Sequence, residues 1–162
     1  MRILGVDPAL HTTGYGLIDV DKRSISLVEA GVIQTKPKEI LPERLKKIHT
    51  QILALIDDTS PDVLVLEKLY AHYRHPTTAF ILGEARGVTC LACAQRRIPM
   101  VEYGATRVKK ALVGKGLAAK YQVQRMVAEV LHIDNECMPK YMDVSDALAL
   151  AIAHSYIART KL

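Results

Sequence analysis

Four carboxylates stand at positions where acids do chemistry. Asp7 closes the apolar run RILGVD and is followed by Pro8, and Glu67 closes the run VLVLE. Asp143 and Asp146 are three residues apart at the start of a helical pattern, a spacing that puts both on one face. Acids at the C-terminal ends of apolar strands lie where ligands bind in open α/β sheets. Ionised carboxylates gathered in one place repel each other and need a compensating cation. Hard oxygen donors of this kind suit Mg²⁺ or Mn²⁺ rather than zinc. Two such ions about 4 Å apart would activate water and stabilise the leaving oxygen in phosphodiester cleavage. Each acid also has a plain structural role open to it. Asp7 could form a turn before Pro8, and Glu67 could pair with Lys68 or Arg74. Asp143 could be an N-cap, with Asp146 favouring the helix dipole.

The elements that must position these acids follow from pattern. Arg2 to Asp7, Thr13 to Val20 and Ser24 to Thr35 read as three strands in an antiparallel meander. Leu41, Leu45, Ile48, Ile52 and Leu55 recur at spacings of 4, 3, 4 and 3, one face of an amphipathic helix. Ser60-Pro61-Asp62 ends it, and Val63 to Glu67 reads as a buried central strand. A polar, aromatic loop, KLYAHYRHP, leads to a helix of about Thr77 to Gln95, opened by Pro76. That helix is apolar on most faces, so the pattern predicts burial in the subunit or a dimer interface. Ile98 to Glu102 reads as a short strand. Helices follow near Ala105–Val113, Ala118–Leu131 and Asp143–Arg159. The expected fold is a mixed α/β sheet, three antiparallel strands plus parallel strands, flanked by helices. One domain over residues 1–162 accommodates it.

Charge points to an acidic partner. The chain of 162 residues carries 22 basic and 17 acidic side chains, a net +5. Residues 96 to 125 hold eight bases against one acid, a net +7 that leaves the remainder at −2. Such a cluster is the footprint of a polyanion site, or else a solvated helical face. Apolar residues at 49% and charged residues at 24% exclude a disordered or collagen-like chain. No apolar stretch reaches a membrane span. An acid as early as Asp7 interrupts any signal-peptide core. Three cysteines argue against a disulfide framework, so a cytoplasmic location is expected.

Smaller features have two readings each. Tyr70, His72, Tyr73, Arg74 and His75 could form a wedge that stacks on unpaired bases, or pack as an ordinary loop. Gly114-Lys115-Gly116 could bring amides close to a phosphate, but lacks a Walker pattern. Cys90 and Cys93 form a C-x-x-C inside an apolar helix, which is core packing rather than redox or zinc chemistry. His154 is read as structural.

Several motifs in order make a resemblance specific. The sequence resembles the RuvC-type Holliday junction resolvases of bacteria over nearly its whole length. The resemblance rests on ILGVDPALHTTGYGLI, VLVLEKLY, LGEARGV, VKKALVGKGLAAKYQVQRMV and DVSDALALAIAH. It implies a ribonuclease H-like fold, with Asp7, Glu67, Asp143 and Asp146 as metal-binding catalytic acids. It implies two Mg²⁺ per subunit, with Mn²⁺ able to substitute. Lys109 and Lys120 match basic positions of the family's DNA-facing surface, and Lys115 lies between them. Tyr70 falls where the family has an aromatic that contacts bases near the junction centre, with Arg74 beside it. The implied partners are four-way junction DNA, a second copy in a homodimer, and a branch-migration complex of a junction-binding protein and a hexameric motor. The family usually has glycine after Asp-Pro; here Ala9 adds a Cβ beside the first acid.

The leading function is therefore a metal-dependent, structure-selective endodeoxyribonuclease of recombination and repair. A non-catalytic nucleic-acid-binding module on the same fold is the alternative. A sugar-kinase or actin-like ATPase needs two related domains, and 162 residues are too few for them.

Overall fold

The computed structural model describes residues 1–22, 24–69, 76–134 and 142–159. Five strands form one sheet in the order β3-β2-β1-β4-β5. They are β1 (Arg2–Asp7), β2 (Thr12–Val20), β3 (Ile25–Gln34), β4 (Val63–Glu67) and β5 (Met100–Tyr103). The helices are α1 (Leu41–Thr59), α2 (Pro76–Arg96), α3 (Ala105–Val113), α4 (Lys120–Leu131) and α5 (Met142–Arg159). β1, β2 and β3 pair antiparallel, as the meander predicts. β4 pairs parallel to β1, and β5 parallel to β4. The mixed sheet flanked by helices is the expected architecture.

Strand parity divides the core in two. Successive side chains of a strand point to opposite faces. Ile3, Val63 and Val65 join the cluster built with α3, α4 and α5. Leu4, Val6, Leu64 and Leu66 join the cluster built with α1 and α2. Carried on by two, the same parity turns Asp7 and Glu67 toward the α5 face. The ladder pairs Val6 with Leu66, so the two acids end neighbouring strands side by side.

α5 lies closer to the sheet than side chains would allow. A Cβ on Gly5 would collide with the main-chain oxygen of Ala147, and one on Gly14 with that of Asp143. β1 and β2 pair Asp7 with Gly14. Glycine at 14 thus lets the first turn of α5 settle beside the end of β1. α5 is buried from Val144 to Ser155 except at Asp146, which faces the cleft, so it is held by packing.

Two boundaries move for local reasons. β5 begins at Met100 and extends to Tyr103, not from Ile98 to Glu102. Arg97 takes a left-handed φ of 56°, and Pro99 has no N–H to give a ladder. α4 begins at Lys120 rather than Ala118. Ala119 is extended, and its N–H donates to Oε1 of Gln122 at 2.9 Å, half of a capping box. Among the described residues, no helix is long and apolar enough to cross a membrane.

Candidate active site

The four acids meet at one end of the sheet. Asp7 and Glu67 come from adjacent strand ends, and Asp143 and Asp146 from the first turns of α5. They feel one another. The Asp7 carboxyl is pushed up to about 7. Burial is the largest cause, followed by repulsion from Asp146, Glu67 and Asp143, with Lys120 opposing. Glu67 stays open to solvent on one side. Shielding of its other side still raises its carboxyl, ahead of repulsion from Asp146, while Lys109 and Lys120 pull it down.

A cleft of about 230 Å³ opens over this cluster, lined by Glu67, Lys109, Lys120 and Asp146 with apolar walls from Val108 and Val123. Nζ of Lys120 sits 2.7 Å from Oδ2 of Asp146. Two carboxylates and two ammonium groups thus share one opening, a place for a phosphodiester beside hard-cation ligands. The donors are all carboxylate oxygens, without sulfur or imidazole, which fits Mg²⁺ or Mn²⁺. Among the described residues, no three His, Cys, Asp or Glu side chains are drawn tightly around one point. The fit rests on donor type and shared repulsion.

The local supports are specific. Arg86 on α2 donates from Nη1 to the main-chain oxygen of Glu67 at 2.8 Å and pairs through Nη2 with Glu102 on β5. The Lys68 N–H donates to the Tyr103 carbonyl at 2.9 Å. Beyond β1, Oγ1 of Thr13 donates to the Ala9 carbonyl at 2.7 Å and accepts from the Ala9 N–H at 3.2 Å. Arg44 donates to the Leu10 carbonyl at 3.1 Å. Ala9 is not among the described residues with left-handed φ, so its Cβ is carried without backbone strain.

The chain matches a known family. The family model described as crossover junction endodeoxyribonuclease RuvC matches residues 3–154. The chain belongs to the RuvC family. The relative of that description from Rhodopirellula baltica is 41% identical over 160 residues, covering 99% of this chain and 89% of that protein. Among solved structures, Thermus thermophilus RuvC in complex with Holliday junction substrate is 31% identical, with a TM-score of 0.93, covering 99% of this chain and 96% of that one. The yeast mitochondrial Holliday junction resolvase Ydc2 is 14% identical, with a TM-score of 0.69 over 98% of this chain and 81% of that one, and shares the fold. The RuvC fold is thus the ribonuclease H-like sheet expected from the motifs.

Other expected residues sort by place. Lys109 and Lys120 reach the cleft. Lys115 is exposed on the α3–α4 turn, outside that lining. Gly114 there closes α3, with φ 78° and its N–H on the Lys110 carbonyl at 3.0 Å. Its glycine therefore has a structural reason. Tyr70, His72, Tyr73, Arg74 and His75 lie outside the described residues. Cys93 is buried in the α1/α2 core and Cys90 packs against it, as read from the sequence. His154 is buried, and its Nδ1 is 2.9 Å from the Tyr103 hydroxyl, which is structural. Arg86 was missed as a support. Its signal was a cation in a helix expected to be apolar on most faces, since a partly buried cation needs partners.

Proposed function

We infer that this chain resolves four-way DNA junctions as a crossover junction endodeoxyribonuclease of the RuvC family. The observation that carries this reading is the coupled quartet Asp7, Glu67, Asp143 and Asp146 under a lysine-lined cleft. Four neighbouring acids, with the Asp7 and Glu67 carboxyls raised, and two lysines suit hydrolysis of a phosphodiester, and weigh against a module that only binds DNA.

Finer assignments build on this. The four acids would hold two Mg²⁺ per subunit, with Mn²⁺ able to substitute. Bound there, such ions supply an activated water and charge stabilisation for the leaving oxygen. Asp7, between the two strands that pair with β1, is the acid placed to be shared. It must shed its proton before accepting a cation. Glu67, on the rim, orients from the cleft side. Asp143 and Asp146 complete the set from α5, which is too tightly packed to drift. Lys109 holds the scissile phosphate against the acids. Lys115 is placed for a phosphate further along the DNA, and Tyr70 and Arg74 for bases near the junction centre. Two opposed nicks require two active sites, so the unit is a homodimer paired through α2. Its partner in the cell would be a branch-migration complex in the cytoplasm, and residues 1–162 form a single nuclease domain.

The decisive experiment incubates the purified chain with an immobile four-way junction and with linear duplex of the same sequence, plus Mg²⁺ or Mn²⁺. Symmetric nicks in the junction alone, absent in Asp7→Asn while junction binding persists, are expected. Full cutting by Asp7→Asn would overturn the site assignment.

A further inference from the structure

The ion pair of Lys120 with Asp146 breaks a local rule. Lys120 is the first residue of α4, where the helix dipole disfavours a cation. Natural sequences break such rules mainly at functional sites. The lysine side chain is 53% exposed and the aspartate 28%, so the ammonium enters the acid cluster from the rim. The 2.7 Å contact sets the ammonium against Asp146, and the same cleft is lined by Glu67.

We propose that Lys120 is a displaceable internal cation: it neutralises the acid quartet before a divalent ion arrives, and leaves Asp146 when the ion is ligated there. The proposal rests on the reading of the quartet as a metal site. An ammonium in contact with a ligand carboxylate repels a dication at that same carboxylate. The two are therefore competitors for Asp146. The cleft offers the displaced ammonium a second anion, because Lys120 and Lys109 line the space where a phosphate would lie. A phosphate that takes Lys120 frees Asp146. DNA and metal then strengthen each other's binding through this one side chain, and the coupling is reciprocal. The protein without DNA loads its metal weakly, which holds the nuclease idle until a substrate phosphate is in place.

Calorimetric titration of Mn²⁺ into the DNA-free protein tests this. Lys120→Met is expected to bind Mn²⁺ about ten-fold more tightly than wild type, the scale of a typical coupling. Lys109→Met, which removes an equal charge from the same cleft without breaking a contact with Asp146, is expected to change affinity less. A junction with uncleavable linkages is expected to tighten Mn²⁺ binding in wild type and not in Lys120→Met. Lys120→Gln gives the same comparison if the methionine variant does not fold. Equal or weaker Mn²⁺ binding in the Lys120 variants overturns the proposal alone. Absence of Mn²⁺ binding from wild type and variants alike overturns the metal-site reading, and the proposal with it.

Discussion

The Arg86 guanidinium donates to the main-chain oxygen of Glu67 at 2.8 Å. The same group pairs with Glu102, so one side chain from α2 ties the end of β4 to β5. Its side chain is only 14% exposed, and a partly buried charge with two acceptors holds its geometry well. Glu67 is thus held at the cleft by this clamp as well as by its own strand.

Arg86→Met is expected to lower the cleavage rate by about ten-fold or more while leaving junction affinity nearly unchanged, as outer supports of metal ligands do. Arg86→Lys keeps the charge but not the two-pronged fork, and is expected to recover part of the rate. Single-turnover cleavage and gel-shift titration separate the two quantities. Equal losses in rate and binding would make Arg86 a DNA contact instead.

Asp7 gives a pH dependence of stated sign. Its carboxyl sits at about 7 in the fold against an ordinary 3.8. The folded chain therefore holds a proton that the unfolded chain has lost between these values. Its contribution to stability is present below pH 3.8 and is lost as pH rises toward 7, by up to about 4 kcal/mol. Urea unfolding of the metal-free protein between pH 4 and 8 is expected to show this decline, and Asp7→Asn to flatten it. Mn²⁺ binding below pH 7 is expected to release a proton. Titration in buffers of different ionisation heat measures that release.

Gly14 sets how near α5 comes to Asp7. Gly14→Ala would drive a Cβ into the Asp143 carbonyl, and the helix cannot retreat because its other faces are packed. The expected cost is about 1–3 kcal/mol of stability, typical of overpacking, together with loss of cleavage. Thermal unfolding and junction cleavage read the two effects. An active, fully stable Gly14→Ala would show that α5 has more freedom than its packing implies.

Much of this was legible in the sequence, and the reasons are physical. Strand parity alone puts Asp7 and Glu67 on one face once RILGVD and VLVLE are recognised as neighbouring parallel strands. The three-residue spacing of Asp143 and Asp146 does the same for α5. The glycine path beneath α5 was not legible, because TGYGLIDV says nothing of which helix crosses it. Arg86 lay inside a quoted motif, yet its partners Glu67 and Glu102 come from two strands far apart in sequence. The lysine cluster was visible as charge, but only folding separates Lys109 and Lys120, which reach the cleft, from Lys115, which does not. Gly114 has a role that only the fold shows: it caps α3 in a left-handed conformation.

The outer face of α2 carries the last prediction. Phe80 is 72% exposed and Leu91 51%, and nothing lies within 4 Å of a Cβ placed on Gly83 or Gly87. Residues 80, 83, 87 and 91 recur at helical spacing, so they form one stripe. The opposite face, with Ala85, Ala92 and Cys93, is already spent on α1 and the sheet. An exposed apolar stripe interrupted by glycines suits a second α2 in close approach. Sedimentation at micromolar concentration is expected to show a dimer for wild type and a monomer for Leu91→Glu. Gly83→Ala should stabilise an isolated helix by up to about 1 kcal/mol, yet it is expected to weaken self-association by filling the gap between the paired helices. The monomeric variant should retain Mn²⁺ binding, since all four acids come from one chain, and should lose paired nicking. If Leu91→Glu sediments as wild type does, the dimer forms elsewhere and the stripe on α2 has another use.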